Sequence, residues 1–104
     1  MANNWNIPAW LENEVRERDK KCVYCGVQFT PAKVSKNTCA SWEHIINDAK
    51  IITRENIALC CCGCNASKGQ KQLSAWLETK YCKERNITPE SVSPIIKEAI
   101  KNGL

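Results

Sequence analysis

The chain of 104 residues lacks several features that would assign it to a class at once. No apolar run approaches the length of a membrane span, so no membrane partner is expected. The first fifteen residues lack the basic, apolar and small-residue order of a secretory signal, which favours a cytoplasmic protein. The sequence has one histidine and neither repeats nor low-complexity segments. These absences predict one small domain, and a domain of this size is marginally stable unless something cross-links it.

Cysteine is abundant by contrast, with eight residues. Because cytosolic thiols stay reduced, metal binding is favoured over disulfides. Two Cys-x-x-Cys pairs, with 35 residues between Cys25 and Cys61, predict a tetrahedral Zn²⁺ site. The expected ligands are Cys22, Cys25, Cys61 and Cys64, and because this shell is closed the zinc should be structural. The other four (Cys39, Cys60, Cys62 and Cys82) are expected to pack as small apolar side chains. A thioredoxin-like redox role is disfavoured because the βαβ pattern is missing.

The apolar pattern predicts three helical regions and two short strands. The helices are expected over 8–19, from Ala66 onward and over 89–102, with the strands in 38–46 and at 57–61. Leu73, Trp76, Leu77 and Tyr81 share one face of the second helical region. In the last helix, Thr88 is the expected N-cap, and the apolar stripe is interpreted as core rather than as a partner site.

Charge is unevenly distributed along the chain, whose formal net charge is +4. Between residues 33 and 71 there are six basic and three acidic residues. A basic region around a metal site is compatible with a phosphate-rich partner such as DNA, and equally with an ordinary solvated face.

Three segments in order, VRERDKKCVYCG, WEHII and TRENIALCCCGCNASKG, resemble the small, zinc-stapled kind of HNH endonuclease. The resemblance covers residues 15–73. It implies an α+β fold in which a ββα-metal core, a two-stranded hairpin and a helix around one divalent ion, is flanked by N- and C-terminal helices. Residues 1–104 would form one domain, with a core at about 15–73 and a helical extension at about 74–104.

The same resemblance implies roles for individual residues. His44 corresponds to the general base that activates water. Glu43 and Asn65 correspond to the ligands of the catalytic ion, and Asn56 to the residue that holds the loop orienting the base. Lys68 corresponds to a basic position near the phosphate, and Arg54 and Lys71 are further candidates for DNA contact.

Two departures from the family pattern bear on the metal. Glu43 stands where Asp is more usual, and Asn65 replaces the last His of the signature. Carboxylate and amide oxygens suit Mg²⁺ or Mn²⁺, so Zn²⁺ is expected only at the sulfur site.

The resemblance implies a DNA endonuclease that nicks one strand per active site, and low sequence specificity is expected. Double-strand cutting would need two protomers, as in a homodimer, or two encounters. Two alternatives stay open. One is a zinc-ribbon module that binds nucleic acid without cutting it, and the other is a degenerate nuclease retained for binding.

Overall fold

Two antiparallel strands form the centre of the computed structural model, which describes residues 6–31, 33–46, 48 and 50–103. Strand β1 spans Ala40–His44 and strand β2 spans Ile57–Cys61. Their register runs from Ala40 opposite Cys61 to His44 opposite Ile57. Both strands lie within the segments that the sequence predicts, because these segments are rich in aromatic and apolar residues and polar chain flanks them.

The helices of the described residues surround this hairpin. They are α1 (Ala9–Arg18), α2 (Cys62–Lys68), α3 (Leu73–Leu77), α4 (Lys80–Glu84) and α5 (Pro94–Lys101). Alternate residues of β2 point to opposite faces of the sheet. Ile57 and Leu59 pack against α1, whereas Ala58 and Cys60 belong to the larger core that includes residues of α2, α3, α4 and α5.

Helix α1 covers one face and the outer edge of the sheet. Leu11 and Val15 are fully buried, whereas the neighbouring Trp10 is 59% exposed. Just after the helix, the Asp19 carboxylate accepts a hydrogen bond from the Leu59 backbone N–H at 3.1 Å. This contact occupies part of the outer edge of β2, where another strand could otherwise pair.

The second helical region differs from the sequence expectation. Helix α2 begins at Cys62, directly after β2, rather than near Ala66, and it ends at Lys68. Gly69 takes a positive φ of 50° there, a conformation that terminates a helix, so the predicted helix is divided into α2, α3 and α4. The predicted packing is confirmed, since Leu73 and Trp76 are buried and Leu77 and Tyr81 pack against the core.

The last helix is shorter than predicted. Thr88 and Ser91 close a turn with reciprocal hydrogen bonds of 2.8 and 3.1 Å, so Thr88 is not the N-cap. Helix α5 instead begins at Pro94, because proline tolerates the first helical position. Val92, Ile96 and Ala99 are buried in the core, which confirms the core interpretation of the stripe.

The described residues thus form a small α+β structure consistent with a ββα core. Among them, no helix is both long enough and apolar enough to cross a membrane.

Candidate functional site

The four predicted zinc ligands lie together at the start of α2. The sulfur atoms of Cys22, Cys25, Cys61 and Cys64 are all within 4.8 Å of one another. The Cys25 and Cys61 sulfurs are 3.7 Å apart. Tetrahedral zinc with Zn–S bonds of about 2.3 Å needs sulfur separations of about 3.8 Å, so this cluster fits a zinc ion.

Hydrogen bonds to sulfur hold both Cys-x-x-Cys turns in shape. The backbone N–H of Cys25 donates to Cys22 Sγ at 3.5 Å, and that of Cys64 donates to Cys61 Sγ at 3.4 Å. The Tyr81 hydroxyl donates to Cys64 Sγ, also at 3.4 Å. Donors of this kind orient metal-binding thiolates and stabilise their negative charge.

The protonation of the cluster depends on its internal hydrogen bonds. The pKa of Cys22 is lowered, first by the hydrogen bond from Cys25. The pKa values of Cys25 and Cys64 are raised, in each case first by the hydrogen bond with Cys22. The pKa values of the four thiols therefore depend on one another, since adjacent thiolates repel. A bound cation would offset this repulsion.

The other four cysteines have two different roles. Cys60 and Cys82 are fully buried, which confirms their packing role. Cys39 and Cys62 form a disulfide with Cα atoms 5.7 Å apart, so their interpretation as packing thiols was wrong. The Cys62 backbone N–H donates to the Cys39 carbonyl at 2.9 Å, which brings together two side chains that are distant in sequence. Cys62 stays outside the zinc cluster, as predicted.

The predicted catalytic carboxylate, Glu43, lies inside the protein. It is 4% exposed, and the Tyr24 hydroxyl donates to its Oε2 at 2.5 Å. The Lys68 ammonium is 3.1 Å from the same oxygen and also donates to the Ile45 carbonyl at 3.1 Å. Since both contacts of the carboxylate fall on Oε2, Oε1 takes no hydrogen bond from the described residues.

Two opposing effects set the charge of Glu43. Burial raises the pKa of its carboxyl group, and the positive charge of Lys68 and the Tyr24 hydroxyl act in the opposite direction. A buried carboxylate remains ionised only when it is paired and hydrogen-bonded. Lys68 and Tyr24 provide both kinds of partner.

Lys68 is bound inside the protein. Its side chain is 1% exposed and its ammonium pairs with Glu43, and its predicted contact with DNA stays a prediction. The other two basic candidates are at the surface. Arg54 pairs with Glu14 at 3.1 Å, and the Lys71 ammonium donates to a backbone carbonyl in α2.

The second predicted ion ligand, Asn65, lies on the same face of β1 as Glu43. Its Nδ2 donates to the Ser41 hydroxyl at 3.0 Å, and Ser41 and Glu43 are two residues apart on the strand. The Asn65 Oδ1 accepts no hydrogen bond from the described residues. Carboxylate and amide oxygens are the ligand types that Mg²⁺ and Mn²⁺ prefer, and the described residues place no donor on Glu43 Oε1 or Asn65 Oδ1.

The predicted base, His44, is the last residue of β1 and is 7% exposed. Burial lowers the pKa of its imidazole, the positive charge of Lys68 lowers it further, and the negative charge of Asp48 partly offsets both. The neutral form is favoured, and this is the form that can accept a proton.

Asn56 fastens the chain that follows His44. It is 3% exposed, its Oδ1 accepts from the Ile46 backbone N–H at 2.6 Å, and its Nδ2 donates to the Ile46 and Ile51 carbonyls. Its own carbonyl accepts from the Ile45 N–H at 2.9 Å. These four bonds fix the start of the loop directly after His44.

Sequence reasoning missed two residues that touch the predicted ligands, Tyr24 and Ser41. The tyrosine between Cys22 and Cys25 is visible in the sequence, and a side chain of that size in a short turn is expected to pack against a neighbouring element. Ser41 could have been found from strand alternation, since it shares a face with Glu43.

Comparison with known proteins finds a similarity to an endonuclease. No protein-family model matches the chain, and no solved structure matches it. Over 95 residues, 88% of this chain, it is 30% identical to the CRISPR-associated endonuclease Cas9 of Corynebacterium diphtheriae. The chain covers 7% of the length of that protein.

The similarity to an endonuclease and the four-cysteine cluster together fit a zinc-stapled, HNH-like module.

Proposed function

We propose that the chain is a metal-dependent endonuclease module that hydrolyses phosphodiester bonds of DNA. The similarity to an endonuclease supports a nuclease, and the arrangement of the HNH-like residues supports hydrolysis by a single active site. A module that only binds nucleic acid has no need of a buried carboxylate, an amide and an imidazole within one small hairpin and helix.

One observation carries the proposal. Helix α2 bears Asn65 and Lys68 one turn apart, and these residues contact Ser41 and Glu43 on the same face of β1. The charge of Lys68 acts on both Glu43 and His44, so the proposed ligand and the proposed base share one electrostatic environment.

In the proposed reaction, His44 takes a proton from the attacking water. Burial favours the neutral imidazole. Asn56 holds the loop that begins directly after His44, and this restrains the position of the base. General-base catalysis of this kind contributes about 10²–10⁴-fold to a rate.

Glu43 and Asn65 would hold the catalytic ion through Oε1 and Oδ1. Bound Mg²⁺ or Mn²⁺ would supply charge stabilisation for the phosphate and the leaving 3′ oxygen. The zinc cluster would fix the start of α2 and, with it, the position of Asn65, which directly follows Cys64.

We further propose that Arg54 and Lys71 contact the DNA backbone, since both are exposed and basic. Phosphate contacts carry no direct sequence information, so cleavage should have low sequence specificity. One active site per chain should nick one strand, and double-strand cutting would need a homodimer or two encounters.

Plasmid relaxation tests the proposal. Zinc-loaded protein should convert supercoiled plasmid to the nicked form with Mg²⁺ or Mn²⁺ but not with EDTA. His44→Ala should reduce the rate by at least about 10²-fold, as expected for loss of a general base. The matched control is Lys97→Ala, an exposed position on α5 far along the chain from the site, and it should cut like wild type.

The outcomes separate the candidate functions. A wild-type protein that shifts DNA in a gel but never nicks it would replace the enzyme with the binding module. Equal cutting by His44→Ala and wild type would remove His44 from the mechanism.

A further inference from the structure

Tyr24 connects the zinc cluster to the proposed catalytic carboxylate. It lies between the ligands Cys22 and Cys25, it is 1% exposed, and its hydroxyl donates to Glu43 Oε2 at 2.5 Å. One side chain thus extends from inside a metal-binding turn to a residue of β1.

Contacts hold both the ring of Tyr24 and the backbone directly before it. Its edge meets the ring of Trp76 with centroids 4.8 Å apart, and the Trp76 Nε1–H donates to the Ser67 hydroxyl at 3.0 Å. The backbone N–H of Val23, the preceding residue, donates to the Leu59 carbonyl of β2 at 3.2 Å. The ring is buried and packed, and its hydroxyl is bonded to Glu43, so these contacts restrain the position of the hydroxyl oxygen.

We propose that Tyr24 is a positioning residue for Glu43, which holds Oε2 so that Oε1 remains the oxygen offered to the catalytic ion. This inference rests on the proposed function. A glutamate has one more rotatable bond than an aspartate, so a carboxylate at this position needs external restraint. Partners that hydrogen-bond a metal-binding carboxylate change metal affinity or activity by about 10–100-fold.

Lys68 cannot supply this restraint alone. Its ammonium contacts the same Oε2, but it carries a positive charge that opposes a nearby divalent cation. The Tyr24 hydroxyl donates without carrying charge. The two contacts therefore have opposite expected effects on the affinity for an ion, and Tyr24 is the one that favours binding.

Binding of Mn²⁺ to the zinc-loaded protein without DNA, followed by electron paramagnetic resonance, tests this role. Tyr24→Phe should weaken Mn²⁺ binding by about 10-fold and keep one zinc per chain. The control is Ser91→Ala, which removes a hydroxyl that bonds the backbone of Asn86 and Thr88, and it should leave Mn²⁺ affinity unchanged. Glu43→Gln reports whether the ion is bound at this carboxylate.

The results distinguish this inference from the proposed function. If Glu43→Gln loses Mn²⁺ while Tyr24→Phe binds it like wild type, Tyr24 only packs and the nuclease proposal stands. If Glu43→Gln binds Mn²⁺ like wild type, the ion lies elsewhere, and both the inference and the assigned ligand fall.

A measurement on the wild-type chain covers the case in which Tyr24→Phe fails to fold. With tyrosine labelled at ¹³Cζ, Mg²⁺ should shift the resonance of Tyr24, whose hydroxyl is bound to Glu43, and leave that of Tyr81 in place. A Tyr24 resonance that does not respond to Mg²⁺ would overturn the inference.

Discussion

The sulfur cluster (Cys22, Cys25, Cys61 and Cys64) and the proposed oxygen site (Glu43 and Asn65) meet in α2, where Cys64 and Asn65 are adjacent. The sulfur cluster consists of four thiols within 4.8 Å of one another, with no oppositely charged partner for any of them among the described residues. The oxygen site has internal partners for its groups, since Glu43 is paired with Lys68 and Asn65 is bonded to Ser41.

This difference indicates different roles for the two metals. Four clustered thiolates repel one another unless a cation binds them, so removal of zinc should destroy the local structure. The charge of Glu43 is already balanced by Lys68, so the oxygen site is stable without an ion. We therefore expect a permanent ion at sulfur and an exchangeable ion at oxygen.

The largest expected effect separates two adjacent cysteines. Cys61→Ser should lose zinc and cooperative folding, because structural zinc contributes about 10–16 kcal/mol to small zinc domains. Cys62→Ser should keep both, since it breaks only the bond to Cys39, which is worth about 3–4 kcal/mol at most. Zinc stoichiometry and thermal melting measure the contrast, and equal zinc loss would overturn the ligand assignment.

The next effect concerns two lysines near the end of α2. Lys68→Met leaves Glu43 buried without its ion partner and should lower the free energy of unfolding by about 3–5 kcal/mol. Lys71→Met at the exposed position should change it by less than about 0.5 kcal/mol. Urea unfolding measures both variants, and similar losses would show that the Glu43–Lys68 pair is not the cause.

A smaller effect is expected for the loop after His44. Asn56→Ala removes three side-chain hydrogen bonds and should cost about 1–3 kcal/mol, with faster hydrogen exchange at the Ile46 amide. Asn102→Ala, at an exposed site after α5, is the matched control. An Ile46 amide that exchanges at the wild-type rate would mean that Asn56 does not hold the loop.

The smallest expected effect is a shift in the pKa of His44, which a titration measures. Because His44 is the only histidine in the sequence, its imidazole NMR signals are unambiguous. Its pKa should lie below the ordinary value of about 6.5, since burial disfavours the charged form. Asp48→Asn should lower the pKa further, because the Asp48 charge raises it.

The lowered pKa of His44 also makes the stability of the fold depend on pH. Below pH of about 6.5 the unfolded chain binds more protons at this site than the folded one, so the His44 contribution to stability falls as pH falls. His44→Gln should lack this contribution. A measured pKa above 6.5 would contradict the burial argument.

The sequence predicts well what depends on local pattern. The strands, the paired cysteines and the apolar stripe of α5 follow from residue type and spacing, and the structure has all three. The division of the second helical region at Gly69 was missed because the helical face continues through it in the pattern.

Contacts between distant residues were the part that local pattern could not provide. The Cys39–Cys62 disulfide, the burial of Lys68 and the Tyr24–Glu43 hydrogen bond each join residues at least 19 positions apart. Lys68 shows the physical reason most clearly. A lysine is usually exposed, and only a buried carboxylate brought to it by the fold makes burial favourable.

One measurement tests the central contrast between the two sites directly. Purified protein is dialysed against metal-free buffer without a chelator, and zinc content and plasmid nicking are then followed together while Mg²⁺ or Mn²⁺ is returned. The account predicts that one zinc per chain survives dialysis, that nicking is lost, and that either added ion restores nicking with zinc content unchanged. Loss of zinc in step with nicking, with recovery on addition of Zn²⁺ alone, would contradict it.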